Sequence, residues 1–244
     1  MEIETRAAAP SPDSSIGDSF AWPFRDPDWF SKIVLMGLIS LIPIVGWLQL
    51  LGWMLTCLDN LRHGLQQLPP AAFRYASRGV HVFLASLVWG LIAAVVIYGS
   101  LGLLVFTMVS LSPNPHSEAG TSSAAPPFFL FPLMFGLTGF FGLLSIAAFL
   151  FVPMIVLFAD RTGFGGAFNI AGFIRALRSS PRQSLATGGL TLARYFIGEM
   201  GSYLCYVGLL FTVPYSMAVV AGLLRWYEVH ANPGSLPAAP AAAS

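Results

Sequence analysis

The chain has 244 residues, of which 56% are hydrophobic and only 9% are charged, and its formal net charge is +1. Soluble domains carry about 25% charged residues, so this composition excludes an ordinary water-soluble fold. A net charge near zero, without a basic and aromatic motif, gives no indication of a nucleic-acid partner. We therefore expect an all-α integral membrane protein.

Four apolar stretches follow one another, roughly at residues 33–58, 80–111, 128–158 and 184–224. A helix that crosses the hydrocarbon core needs about 20 residues. The first stretch is broken by Pro43, and the fourth is about twice the required length and contains Pro214. About six helical elements are therefore predicted: a short, proline-broken N-terminal hairpin, two long central spans and a C-terminal helical hairpin. Residues 20–230 form a single polytopic membrane domain in this prediction, between disordered tails at 1–19 and 231–244.

The basic residues predict the orientation. The segment 112–127, between the second and third stretches, contains no Lys or Arg, whereas every other connection contains several. Cytoplasmic loops carry the excess of basic residues. We therefore expect a multi-pass protein of the cell (plasma or inner) membrane with the segment 112–127 outside and both termini in the cytoplasm. The fourth stretch then has to turn back, near residues 207–214.

The first stretch predicts a shallow hairpin that turns at Pro43 and Gly46. Proline cannot donate to the helical hydrogen-bond ladder, and glycine adopts the dihedral angles that a tight turn needs. The alternative is a single kinked span with an external N-terminus. Arg25 and Lys32, which precede the stretch, favour the hairpin.

Two further segments predict amphipathic helices at the membrane surface. Residues 169–182 place apolar side chains at helical spacing on one face and arginines on another, with Pro181 ending the helix. Residues 69–79 predict a weaker copy that begins at Pro70. Such helices lie on an anionic inner leaflet. The arginines expected to contact lipid headgroups are Arg74, Arg78, Arg175, Arg178 and Arg182.

Three polar residues inside the apolar stretches form a possible intramembrane site: Glu199, Arg194 and Gln49. Intramembrane charge marks a functional site or a paired structural one. Five positions apart on a helix, Glu199 and Arg194 face about 140° away from each other, which does not favour a simple pair. Glu199 is the best candidate for a ligand, proton or ion role, with a structural contact as the alternative. Asp59 and Arg62 lie at the inner boundary, where charge is ordinary.

Nothing in the sequence predicts catalysis. The cysteines, Cys57 and Cys205, lie apart in apolar segments and the four histidines are scattered. This pattern does not indicate a metal or redox site, and no nucleophile and base fall together at membrane depth. We expect a protein that is not an enzyme and that has no cofactor or metal.

Several short motifs in a fixed order resemble one known family. They are Asp26-Pro27-Asp28-Trp29 with Lys32, Ile42-Pro43-Ile44-Val45-Gly46, Gly52 with Arg62 and Gly64, Leu68-Pro69, Ala167-Phe168, and Val207 to Tyr215. Together, over roughly residues 20–228, the chain is similar to the bacterial and archaeal membrane family called domain of unknown function 4013. Residues 70–74 depart from the acidic and aromatic continuation typical of that family. The resemblance implies an integral membrane protein and brings no activity or site residues.

Two functions fit these expectations. The first is a non-catalytic membrane scaffold or accessory subunit whose partners are lipids, other membrane proteins or a second copy of the chain. The alternative is a small transporter or channel, in which a pseudo-repeat of proline-broken hairpins surrounds a site near the bilayer midplane.

Overall fold

A computed structural model describes residues 15–111, 130–201, 208–232 and 236–237. Within these residues the fold is entirely helical, as predicted, and contains no strand. Short 3₁₀ turns lie at Trp22–Arg25 and Phe164–Phe168. The α-helices are α1 (Asp18–Ala21), α2 (Trp29–Ser40), α3 (Val45–Arg62), α4 (Ala76–Leu111), α5 (Leu130–Thr162), α6 (Ile170–Ser179), α7 (Pro181–Met200) and α8 (Leu209–His230).

The chain forms two compact units. We call them the core unit, Met1–Ser86 with Phe149–Ser244, and the hairpin unit, Leu87–Ala148. The described part of the hairpin unit contains no Lys, Arg, Asp or Glu. Its large apolar side chains are nevertheless exposed, as at Tyr98 (72%) and Phe135 (77%).

Among the described residues, two helices are both long and apolar enough to cross a bilayer. They are Ala76–Thr107 and Leu209–His230. The apolar helix α2 has 12 residues and is therefore only about 18 Å long, too short to cross a hydrocarbon core of about 30 Å.

The break between α2 and α3 falls at Pro43, as predicted. The prediction that Gly46 supplies the dihedral angles of the turn is wrong. The positive φ belongs to Ile44 (φ 64°, ψ −59°), where the Val45 N–H donates to the Pro43 carbonyl at 2.7 Å. This is a γ-turn of the strained kind, which costs of order 1–3 kcal/mol at a β-branched residue. Gly46 lies inside α3, where a Cβ would collide with the Ile39 carbonyl at the end of α2. Gly46 allows the start of α3 to approach the backbone at the end of α2 closely. It does not supply the positive φ of the turn.

The C-terminal hairpin consists of α7 and α8, and the prediction that Pro214 lies in its turn is wrong. Pro214 is the sixth residue of α8. Because proline has no N–H, the carbonyl of Leu210 loses its helical donor. That carbonyl faces Gly37 of α2, where a Cβ would collide with it. The helix therefore tolerates Pro214 at a point where a neighbouring glycine backbone lies against the freed carbonyl, an arrangement that permits a weak Cα–H···O contact.

The first amphipathic helix is shorter than predicted. The helix α6 begins after Asn169, whose side chain accepts from the Gly172 N–H at 2.8 Å, a typical N-cap. Pro181 does not only end this helix; it is the first residue of α7, a position that proline favours. Arg182 therefore belongs to the first turn of α7.

The prediction of a second amphipathic helix at residues 69–79 is wrong for its first seven residues, which are not part of an α-helix. Helix α4 begins only at Ala76, because side chains of α3 bind the backbone of the preceding loop. The Gln49 amide donates to the Phe73 carbonyl (2.7 Å) and accepts from the Tyr75 N–H (2.8 Å). The Trp53 indole donates to the Pro69 carbonyl at 3.0 Å. Since these bonds occupy the groups that a helix would use, the loop stays irregular.

The predicted disordered tails, 1–19 and 231–244, include described residues that pack against the fold. Ser19 is buried in α1, and the nearby Trp22 indole donates to the Ala218 carbonyl of α8 at 3.1 Å. At the other end, the Asn232 N–H donates to Ser180 Oγ at 3.0 Å. Residues 1–14 and 238–244, and the predicted external segment 112–127, lie outside the described residues.

The contact between Gly37 and the Leu210 carbonyl gives the first prediction. We expect Gly37→Ala to lower the free energy of unfolding by about 1–3 kcal/mol, because the added methyl group forces α2 and α8 apart. Gly90→Ala in α4 is the control, since a Cβ there has no neighbour within 4 Å and alanine favours a helix. Denaturant unfolding in mild detergent measures both. Equal midpoints for the two variants would contradict the contact.

Candidate functional site

A network of arginines and carboxylates joins the ends of α3, α4, α5 and α8 in the core unit. Arg62 lies at its centre and binds Glu228 with two nitrogens, Nη2 to Oε1 at 2.5 Å and Nε to Oε2 at 3.1 Å. The Arg62 Nη1 atom is 2.9 Å from both Asp160 Oδ2 and Asp59 Oδ1. One guanidinium therefore connects three helices. The members of this arginine–carboxylate network are Asp59, Arg62, Arg78, Asp160, Arg161, Arg225 and Glu228.

Arg78, in the first turn of α4, adds the fourth helix. Its Nη2 atom lies 2.7 Å from Asp59 Oδ2 and 3.0 Å from Asp160 Oδ1. Both oxygens of Asp160 are thus occupied, one by Arg62 and the other by Arg78.

Glu228 of α8 is the second heavily shared carboxylate. Besides Arg62, it binds Arg161 Nη2 at 2.8 Å and lies 3.6 Å from Arg225 Nη1. The side chains of Glu228 and Asp160 are only 3% and 2% exposed. An ionised carboxylate removed from water to this degree needs paired charges and hydrogen bonds, and the arginines supply both.

The network also shifts proton affinities. Burial by itself acts to lower the pKa of Arg62, but the hydrogen bond and charge of Glu228, together with Asp160, outweigh it and raise that pKa above its usual value. Burial raises the pKa of Asp59, against the opposing charges of Arg78 and Arg62. Because its pKa is raised, Arg62 stays charged at any physiological pH. Four arginines face three carboxylates, which leaves one positive charge in excess.

The structure does not bring the three predicted intramembrane polar residues together. Gln49 binds the loop before α4, as described above. Arg194 lies between α7 and α8, where its Nη1 atom donates to Ser216 Oγ at 3.2 Å and its buried Nε atom has no hydrogen-bond partner in the described part of the chain. Glu199 is exposed on α7 and its carboxylate interacts with Tyr195 one turn earlier.

The five arginines predicted to contact lipid headgroups lie in different environments. Arg78 belongs to the network, and the Arg74 guanidinium lies 5.4 Å from the centre of the Tyr75 ring. Arg175, Arg178 and Arg182 are exposed on α6 and at the start of α7. Exposed apolar side chains of α6, Ile170 and Ile174, accompany them.

Sequence reasoning missed most of the network. It treated Asp59 and Arg62 as ordinary boundary charges and did not single out Asp160, Arg161 or Glu228. A signal was present, because three apolar helices end in residues of opposite charge close in sequence: Asp59 with Arg62, Asp160 with Arg161, and Arg225 with Glu228.

The chemistry of the network is structural. Each of its carboxylates accepts from at least one guanidinium, and a carboxylate held in this way is a poor general base. No group of three His, Cys, Asp or Glu side chains among residues that the structure describes is placed to hold a metal ion. The arrangement fixes the ends of four helices against one another.

Removing the central arginine gives the second prediction. We expect Arg62→Gln to lower the free energy of unfolding by about 3–5 kcal/mol, because two buried carboxylates lose their shared partner. Arg25→Gln is the control: its ion pair with Asp18 is exposed and such pairs contribute little. Denaturant unfolding in mild detergent compares the variants. An Arg62→Gln protein as stable as the Arg25→Gln protein would show that the network does not hold the fold.

Comparison with known proteins gives one assignment. No curated protein and no solved structure matches the chain. A family model described as "Protein of unknown function (DUF4013)" matches residues 35–226, which is most of the chain. The chain therefore belongs to the DUF4013 family.

Proposed function

We propose that this protein is a non-catalytic, multi-pass protein of the cell membrane that serves as a scaffold or accessory subunit. The observation that carries the proposal is the surface of the hairpin unit, where large apolar side chains are exposed and the described residues include no charge. Water-soluble monomers rarely expose a contiguous apolar patch of more than about a few hundred Å². Lipid, or a membrane partner, is the medium that suits such a surface.

The arginine–carboxylate network supports the proposed topology. Because the ends of α3, α5 and α8 and the start of α4 meet in it, the proposal puts these four points on one side of the membrane. A hydrogen bond between Ser184 and Tyr227 (3.2 Å) links the start of α7 to the end of α8, so the proposal puts the start of α7 on the same side. These ends carry the arginines, so this side is the cytoplasm under the positive-inside rule. The segment 112–127 then lies outside, and α2 and α3 form a shallow hairpin.

The scaffold has two kinds of partner in this proposal. Exposed Arg175 and Arg178, next to Ile170 and Ile174 on α6, suit a helix that lies on the anionic inner leaflet. The apolar surface of the hairpin unit suits lipid chains, another membrane protein or a second copy of the chain.

The transporter alternative has less support. Its candidate residue Glu199 is exposed on α7, and Arg194 faces Ser216 between α7 and α8, so the two do not frame a common site. The predicted pseudo-repeat also weakens, because Pro43 separates two helices whereas Pro214 lies within one. The scaffold is therefore the better supported of the two functions.

Cysteine labelling tests the topology. In a Cys57→Ala, Cys205→Ala background, we expect Ser117→Cys to react with a membrane-impermeant maleimide in intact cells. We expect Ile16→Cys, the matched control on the other side, to react only after lysis. The opposite pattern, or labelling of both in intact cells, would overturn the proposed orientation.

Reconstitution separates the scaffold from the transporter. In proteoliposomes that contain a pH-sensitive dye and carry an imposed ion gradient, we expect no flux above that of protein-free vesicles. Flux that the wild-type protein supports and Glu199→Gln abolishes would favour the transporter and refute the scaffold.

A further inference from the structure

We propose that a cavity beside the arginine–carboxylate network binds a phosphate anion, either the phosphodiester of an anionic lipid or free phosphate. Only the lipid source depends on the proposed membrane function; the anion site itself rests on the cavity and its side chains.

The cavity has a volume of about 280 Å³. This is slightly below the range of about 300–1,000 Å³ for small-molecule sites, a size that suits a headgroup or a small anion. Its walls come from three helices of the core unit: Leu55 of α3, Ser77, Arg78, His81 and Val82 of α4, and Asp160 of α5. The lining includes the apolar side chains of Leu55 and Val82 and the hydrogen-bonding side chains of Ser77, Arg78 and His81.

Arg78 supplies the charge that attracts an anion. Its described contacts with Asp59 and Asp160 both use Nη2, so Nη1 and Nε remain as further donors. The side chain is 38% exposed and lines the cavity. A guanidinium presents its donors in a planar fork that matches the oxygens of a phosphate group.

Ser77 and His81 complete the set of donors. They are four positions apart on α4 and therefore lie on the same face, one turn from each other, and both line the cavity. Both are exposed, and neither takes part in the described ion pairs. The cavity also lies at the N-terminal end of a 36-residue helix, whose dipole favours a negative charge.

Asp160 lines the same cavity, but its charge is already compensated. Its two oxygens bind Arg62 and Arg78, so the carboxylate presents little uncompensated charge to an incoming anion. The network as a whole holds four arginines and three carboxylates, and a singly charged phosphodiester would balance the excess. For the lipid source, Leu84 lies one turn beyond His81 and is exposed, in position to contact an acyl chain.

Titration of the full-length protein in mild detergent tests the site. The probes are dioctanoyl phosphatidylglycerol, inorganic phosphate, and dioctanoylglycerol, which has the same chains without the phosphate. Calorimetry gives the affinity of each. We expect the double variant Ser77→Ala, His81→Ala to weaken the binding of the phosphate-bearing probe by about tenfold or more, because it loses hydrogen bonds to a charged group.

Arg25→Gln is the matched control, since this arginine pairs with Asp18 and does not line the cavity; we expect its affinity to equal that of the wild type. The unfolding midpoint of the double variant checks that it folds. Tighter binding of phosphatidylglycerol than of phosphate assigns a lipid source, and binding of phosphate alone assigns a free anion. The site is overturned if neither probe binds, if dioctanoylglycerol binds as tightly as phosphatidylglycerol, or if the double variant binds as the wild type does. If the anion site is overturned, the labelling expected for Ser117→Cys does not change. Failure of the anion site is therefore distinguishable from failure of the membrane proposal.

Discussion

Two carboxylates, those of Asp160 and Glu228, are almost completely removed from solvent, and Arg62 binds both of them. This is the constraint on which the packing of the core unit depends, because a buried carboxylate without a partner is far costlier than a surface one. Since the two acids belong to α5 and α8 and Arg62 to α3, satisfying them fixes three helix ends at one point. Apolar packing alone is not directional, so charges of this kind specify which ends meet.

The two compact units differ in the contacts and charges of their described residues. The network and the small-residue contacts, such as that of Gly37 with the Leu210 carbonyl, give the core unit a defined arrangement. The described residues of the hairpin unit contain no charge, and their apolar side chains are exposed. In the proposed function, the core unit supplies a defined arrangement of helix ends, and the hairpin unit supplies an apolar surface for lipid or a membrane partner.

The sequence predicted the helical class, the break at Pro43 and the existence of a C-terminal hairpin, because apolar length and proline position are local signals. It did not predict that Pro214 lies inside α8, since this depends on Gly37, a residue 177 positions away in the chain. The irregular loop before α4 was missed for a similar reason: Gln49 and Trp53 reach it from another helix. The network itself was not predicted, because a charged residue at the end of an apolar helix is common and does not by itself indicate a partner on another helix. Only the folded chain brings Arg62 to Glu228, 166 positions later.

A double-mutant cycle between Arg62 and Glu228 tests most directly whether this pair holds the core unit together. The free energy of unfolding is measured in mild detergent for the wild type, Arg62→Leu, Glu228→Leu and the double variant. Coupled residues in one network show interaction energies of about 0.5–3 kcal/mol, and for this bidentate, buried pair we predict a value near the upper end, with the double variant more stable than the sum of the single losses implies. Losses that add within about 0.5 kcal/mol would contradict the account, because they would mean that the two side chains do not stabilise each other.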